Sequence, residues 1–578
     1  MVNPEKLEMA VVSLAQSERT SQGSTAIFYS PDGYQTSGSK LMGRHAAGAG
    51  FLRAFARTEL SERITGVAQN SQYFKSFEQD IRGYGFAGKV ESVHLSDQRR
   101  IGQQDILYLP GPGLNDFAWR RQAVAPYAYS LCGVTHTTAS HRAMESIAQL
   151  ITAPLFEWDA LICTSRAVLD SVRVLLEAQA DYLRWKLAAN RFTLPQLPVI
   201  PLGVHCEDFV YSKAQREQAR AQIGASESDI VVIFLGRLSF HAKAHPQAMY
   251  LAMNELARKN PGRGLHLVQC GWFANEAIES AFKQAAAELC PHVQHHFLDG
   301  RQADAREVAW AGADIYVSFS DNIQETFGIS PVEAMAAGLP VVVSDWDGYR
   351  DTVRDGIDGF RIPTLMPQTP DGVDLASRYD AGVDSYDMYC GHTCELVAVD
   401  VSAAIKALEV LVASPELRTK MGSAGRARAK DVFDWTVVMS QYRALWRELA
   451  DRRALLTAAP LLGDSASQRI RPDRMDPFQL FASYPTAMLG DGDSLVAVHE
   501  DLGLSHAFLL QCKAMAINSF AQFVYPESDE CLRMLELVVS RPGVTVTEVV
   551  AAFPRERALV IRRGLVWMIK MHVLRFPG

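Results

Sequence analysis

Short apolar runs recur along most of this chain, each separated from the next by a stretch with helical spacing. Runs at 25–29, 105–109, 160–163 and 198–201 are followed by others at 230–235, 265–269, 293–298, 313–317 and 339–343. Helix candidates lie between them, 275–289 being one. The runs are apolar throughout rather than alternating, which predicts strands buried on both faces. Buried strands separated by helices predict parallel sheets covered on both sides. The series divides at the Pro/Gly turn PLGVH, residues 201–205. The expected fold is therefore α/β, with one Rossmann-like doubly wound domain over 1–205 and a second over 206–430. Open sheets of this kind bind ligands beyond the carboxyl ends of their strands, so two facing domains would hold a ligand between them.

Three segments fall outside that rhythm. Residues 364–396 hold the turn-rich PQTPDG and the tyrosines 379, 386 and 389. They read as a surface excursion, with shaping of the cleft as the alternative. Residues 463–476 turn to Ser, Asp, Arg and Pro and read as the start of a linker, after a closing helical stretch over 431–462. Beyond it, Thr545 and Glu548 form a capping box, and 558–573 has helical spacing with Leu559, Leu565, Met568, Ile569 and His572 on the expected buried side. With a helix over 530–539 and the Pro542-Gly543 turn, 463–578 resembles a mainly helical, winged-helix or helix-turn-helix module. Arg555, Arg557, Arg562, Arg563 and Lys570 make DNA one reading. Contact with a protein partner, or with a second copy of the chain, is the favoured one, because nothing else in the chain points to nucleic acid.

Composition narrows the class. The 578 residues are enough for about three to four domains. A net charge of −8 gives no global attraction to nucleic acid or an anionic membrane. Hydrophobic residues at 48% and charged ones at 21% are ordinary for a globular protein. Nine scattered cysteines, an odd number, suit reduced thiols better than a disulfide framework. CGHTC at 390–394 lacks a second ligand pair and reads as a loop with free thiols. The first residues place Glu5 and Glu8 beside a short apolar run, unlike a signal peptide, and no run reaches the roughly 18 apolar residues of a membrane span. The expected location is the cytoplasm, with the inner face of a membrane as a peripheral alternative.

The chemistry concentrates in ETFGISPVE, residues 325–333. The run before it predicts a strand, and Ser330-Pro331 a helix start, since proline suits the first helical turn. Glu325 then lies in the loop and Glu333 in the first turn of the helix. The free amides of 328–332 suit a phosphate, and Gly328 permits close approach to the backbone. A carboxylate at Glu333 can accept two bonds from vicinal hydroxyls, such as those of a ribose. Its structural alternative is complementing the helix dipole.

ETFGISPVEAMAAGLPVV resembles the E-x7-E motif of retaining GT-B glycosyltransferases, family 4 above all. PLGVHCEDF at 201–209 resembles that family's interdomain turn, and FLGRLSFHAK at 234–243 its diphosphate loop. FDW at 433–435, with Tyr442 and Leu445, resembles its closing helix. The resemblance spans about residues 25–450. It implies transfer of a sugar, with retention, from a UDP-, GDP- or other nucleoside-diphosphate sugar to a hydroxyl of a glycan, lipid-linked, small-molecule or protein acceptor. It implies no further cofactor and no metal; Asp345 and Asp347 of DWD are read as structural. Arg237 and Lys243 would stabilise charge on the departing diphosphate. Glu325 would orient the sugar and Glu333 hold the ribose, with Phe327, Gly328, Ile329 and Ser330 also against the donor. From the first domain, His136 would meet the sugar, with His141 as competitor. Gly43, ahead of Gly38, would supply the glycine loop. The rival function is a non-catalytic sensor of nucleotide sugars.

Overall fold

The computed structural model describes residues 24–36, 43–59, 62–456 and 471–577. They divide into two compact units at 471/472.

The first unit contains two six-stranded sheets. In one, β1 (Thr25–Phe28), β2 (Arg63–Ala68), β3 (Lys89–His94), β4 (Ile106–Leu109), β5 (Ser130–Val134) and β6 (Ala160–Ile162) lie in the order β3-β2-β1-β4-β5-β6. In the other, β7 (Ile230–Leu235), β8 (Leu265–Gly271), β9 (Gln294–Asp299), β10 (Ile315–Ser318), β11 (Val341–Ser344) and β12 (Gly359–Ile362) lie in the order β12-β11-β10-β7-β8-β9. All ten pairings are parallel. Read outward from the first strand of each, the two sheets have one topology. This is the expected pair of doubly wound GT-B domains.

The central strands β4, β7, β8, β10 and β11 are buried almost end to end, which is why their apolar runs were so plain in the sequence. Edge strand β3, KVESVH, alternates and stays largely open, so it offers no such run. The run at 198–201 is not a strand. It only bridges the edge of β6, where Ile200 donates to Cys163 O at 3.1 Å and Cys163 to Pro198 O at 2.9 Å. Pro198 and Pro201 have no N–H with which to continue a ladder.

The helix Trp435–Leu456 returns to the first sheet. Trp435, Tyr442 and Trp446 share a core with Phe51 and Phe55 of the helix Gly43–Thr58 and with Tyr108 of β4. Below this core, Arg121 and Asp159 are wholly buried as a two-pronged pair, at 2.6 and 2.8 Å.

The 364–396 segment is not the surface excursion expected. Strands β13 (Thr364–Leu365) and β14 (Ala398–Val399) pair antiparallel and clamp its base. Between them lie the helices Val373–Asp380 and Tyr386–Cys394. CGHTC is thus helical rather than a loop, and its cysteines are free and buried. The tyrosines turn inward: Tyr379 stacks on Tyr389 and on His141 of the first domain.

The second unit is mainly helical, with β15 (Ser494–Ala497) between β16 (Val544–Thr545) and β17 (Leu574–Arg575) in an antiparallel sheet. The capping box at Thr545 forms as expected. The last helix ends earlier than expected, at Lys570, and Leu559 and His572 point to solvent rather than inward. Leu559 lies outside the stripe of Ile561, Leu565 and Met568, and His572 follows the helix end in a left-handed turn. Among the described residues no helix is long and apolar enough to cross a membrane.

Candidate functional site

Both sheets change direction at a pair of adjacent strands, β1/β4 and β7/β10, and open α/β sheets bind ligands at such points. Beyond β7 runs the loop 236–246, and beyond β10 the loop 319–328.

The two loops are stitched together. Ser320 Oγ donates to Lys243 O at 3.3 Å, and Asn322 Nδ2 to His241 O at 3.0 Å. The His245 amide donates to the Asp321 carboxyl at 3.3 Å. Burial pushes that carboxyl up to about 7. Backbone geometry here is therefore set by buried polar side chains.

On this frame stand the expected cations. Lys243 Nζ forms an ion pair with Glu325 Oε2. Glu325 Oε1 accepts from the amides of Gly328, at 3.1 Å, and Thr326, at 3.3 Å. Burial opposes ionisation of Glu325, but the Lys243 ammonium and the amides outweigh it and hold the carboxyl below its usual range. Arg237 differs. Its Nη2 donates to Ala242 O at 2.6 Å and Gln324 Oε1 at 2.5 Å, both neutral acceptors. Among the described residues no carboxylate hydrogen-bonds to it; burial opposes its charge, and the charges of Asp387 and Glu325 favour the guanidinium from farther off.

The helix after this loop is Ile329–Ala336, one residue longer at its start than expected. Glu333 consequently lies just past the first turn, which weakens the dipole reading. Its half-buried carboxyl is pushed up to about 7 by burial, against the attraction of Arg306 and Lys243. It accepts no hydrogen bond from a described residue. Ile329 and Ser330 are half-buried beside it.

Two expectations about donor contacts change. The Phe327 side chain is 1% exposed and packs edge-on against Phe433, 5.9 Å away, so only its backbone can face a ligand. Gly328 has φ +84°, and a Cβ there would lie 2.1 Å from Tyr349 Cε1. The left-handed cap and the Tyr349 ring by themselves require a glycine there.

From the first domain, His136 follows β5 and reaches the same place. Its carbonyl accepts from Thr326 Oγ1 at 3.3 Å. Burial, helped by the charges of Arg44 and His45, pushes its imidazole down to about 4, so it is neutral at physiological pH. His141 lies farther along, stacked on Tyr379, and its Nε2 sits 3.0 Å from Tyr379 O. Gly43 is exposed at the start of the helix Gly43–Thr58. Gly38 lies outside the described residues. Asp345 pairs with Arg361 at 3.2 Å, while half-buried Asp347 accepts from Ser165 Oγ at 3.5 Å.

Sequence reasoning missed Gln324, Asp321, Asn322, the cation Arg44 and its neighbour His45, whose imidazole is held by burial below its usual range. A signal existed for the first three: the polar run SDNIQ directly follows a buried strand. Also missed was Tyr386, whose role depends on the fold of the insert.

Residues 215–368 match the family model of glycosyl transferases group 1. A phosphatidyl-myo-inositol mannosyltransferase of Mycobacterium leprae is 27% identical over 369 residues, covering 62% of this chain and 78% of the relative. A D-inositol 3-phosphate glycosyltransferase of Nocardia farcinica is 30% identical over 169 residues, 29% of this chain and 36% of the relative. The chain thus spans about a third of that relative's length, and 46% of a D-inositol 3-phosphate glycosyltransferase of Corynebacterium efficiens. Among solved structures, Anabaena HepE in complex with UDP and glucose aligns with 74% of this chain and 100% of its own, at 14% identity and a TM-score of 0.48.

Proposed function

We propose that this chain, which resembles the group 1 glycosyl transferases over residues 215–368, carries out a retaining transfer of a sugar from a nucleoside diphosphate to an acceptor hydroxyl. The observation that carries the reading is the pairing of Arg237 and Lys243 at the β7/β10 crevice, the first with no carboxylate hydrogen-bonded to it among the described residues. A diphosphate arriving there gains two charge-assisted contacts in a largely dry site. Lys243 would be shared between phosphate and Glu325, which keeps its two backbone amides.

In the proposed step the bond from the anomeric carbon to the β-phosphate oxygen breaks, and a bond from the acceptor oxygen to that carbon forms on the same face. The acceptor proton passes to a phosphate oxygen. Arg237 and Lys243 stabilise the negative charge that builds on the leaving group. Glu333 accepts hydrogen bonds from the ribose hydroxyls. Neutral His136 offers a hydrogen bond to the sugar without adding positive charge near the developing oxocarbenium centre. Glu325 orients the sugar and holds Lys243. Closure of the first domain over the donor excludes water.

The test is a thermal-shift screen of nucleotide sugars, because a ligand that binds only the native state raises its apparent stability. The stabilising donor is then offered to acceptors. The names of the relatives put inositol-containing compounds first in that series. Lys243→Ala should retain the fold and lose transfer; full activity in this variant would sink the assignment.

A further inference from the structure

The insert between β13 and β14 has a use beyond covering the cleft. Its helix Tyr386–Cys394 is fastened to the loop after β7: a Cβ on Gly391 would lie 2.9 Å from His241 Cβ, and Cys394 Sγ lies 3.5 Å from Phe240 O. Its first residue reaches across the cleft. Gln324 Nε2 donates to Tyr386 Oη at 2.8 Å, and Tyr386 Oη shares a hydrogen bond with Thr137 Oγ1 at 3.2 Å. The other end of the same Gln324 amide accepts from Arg237. A continuous chain Arg237–Gln324–Tyr386–Thr137 therefore joins the guanidinium of the second domain to the residue after His136 in the first. A second tie lies beside it, where the His141 amide donates to Tyr379 Oη at 2.9 Å.

We propose that the 364–399 insert is a strap that seats Arg237 for the donor diphosphate, with Tyr386 and Gln324 as positioning residues. The argument rests on geometry. No carboxylate hydrogen-bonds to Arg237 among the described residues, the charge of Asp387 acting on it only from a distance, and a long side chain held by one carbonyl keeps much of its rotamer freedom. The Gln324 amide removes that freedom only if its own orientation is fixed. Tyr386 Oη fixes it by accepting from the nitrogen, so that the oxygen must face Arg237. Thr137 anchors the hydroxyl from the opposite domain, so the seat is complete only when the two domains are together.

The inference builds on the proposed donor site, and its test separates the two. Full-length wild type, Tyr386→Phe, Gln324→Leu and the double variant are titrated calorimetrically with the uridine, guanosine, adenosine, cytidine and thymidine diphosphates and their monophosphates, and each is melted without ligand. Wild type should bind at least one diphosphate. Failure to bind any would overturn the donor site itself, and the strap with it. Given wild-type binding, Tyr386→Phe keeps the ring and should weaken the diphosphate about tenfold while leaving the matching monophosphate and the ligand-free melting unchanged. Gln324→Leu should reproduce that loss, and the double variant should add little to it, as expected for groups acting in series. Unchanged diphosphate affinity in Tyr386→Phe would overturn the strap while leaving the donor site standing. So would an equal loss for mono- and diphosphate, which marks a general structural role.

Discussion

The two six-stranded sheets share one strand order, yet they are equipped differently where they meet. Beyond β7 and β10 lie Arg237, Lys243, Asp321 and Glu325, tied together by buried polar bonds. The first sheet contributes neutral His136 after β5, depressed chiefly by burial and further by Arg44 and His45. Topology made both crevices, and loop chemistry made one of them a charge site. Two buried ion pairs repeat the contrast. Arg121 directs both terminal nitrogens to the two oxygens of Asp159 and to the carbonyls of Tyr129 and Pro154, with no exposure at all. Lys243 and Glu325 keep 22% and 13% of their side chains exposed, and so can still meet a ligand. A cation sealed in on all sides holds a fold together; one left partly open is available for chemistry.

The largest expected effects test that contrast. Lys243→Ala should lower transfer by about 10²–10³-fold, the usual cost of one electrostatic donor to a developing charge. Asp159→Asn should leave turnover per folded molecule intact but cost about 3–5 kcal/mol in denaturant unfolding, because Arg121 is left buried without its counter-charge. If the two outcomes were exchanged, the sealed pair would be the functional one. The next comparison is between glycines. Gly328→Ala places a Cβ against Tyr349 at positive φ and should cost about 2–4 kcal/mol. Gly43→Ala meets nothing within 4 Å and should change stability by less than about 0.5 kcal/mol. Any loss of donor affinity in Gly43→Ala then reports a ligand approaching that helix start.

What could be read from the sequence was local. Strand, loop and helix start are contiguous over 315–336, so the positions of Glu325 and Glu333 could be inferred from punctuation alone. Arg237 and Lys243 were legible for the same reason, directly after the apolar run of β7. Strands β2, β3 and β12 were missed: β3 and β12 lack a continuous apolar run because they are half-open, and β2, though buried, because Thr65 and Gly66 interrupt its run. Phe327 and Gly328 were assigned to a ligand, but their types serve a core equally well, and only the neighbours Phe433 and Tyr349 decide. The insert was misjudged for a related reason. Its turn-rich start resembles a surface loop, while the partners that draw it inward, Thr137, His141 and Gln324, lie far from it in sequence.

The smallest expected effect concerns Glu333, the carboxylate of the pair that accepts no hydrogen bond from a described residue. Its folded value near 7 stands above the ordinary 4.5. Below about pH 4.5 folded and unfolded chains both hold the proton. Between there and about pH 7 the folded chain holds a proton that the unfolded chain has released, so the stability present at low pH is lost as pH rises. Glu333→Gln removes that slope. The variant should melt with the wild type near pH 4 and above it near pH 8. Ribose hydroxyls donate to the ionised form, so donor affinity of the wild type should rise from about pH 6 to about pH 8. The variant should bind about tenfold more weakly at the upper end and show no such rise, since a hydrogen bond to a charged acceptor contributes about 1.5–3 kcal/mol. A wild-type affinity flat across this range would mean that the ribose does not rest on Glu333. In Glu325, where Lys243 has already drawn off the proton, the same substitution should leave the pH dependence of binding unchanged, and that difference separates the two carboxylates of the motif.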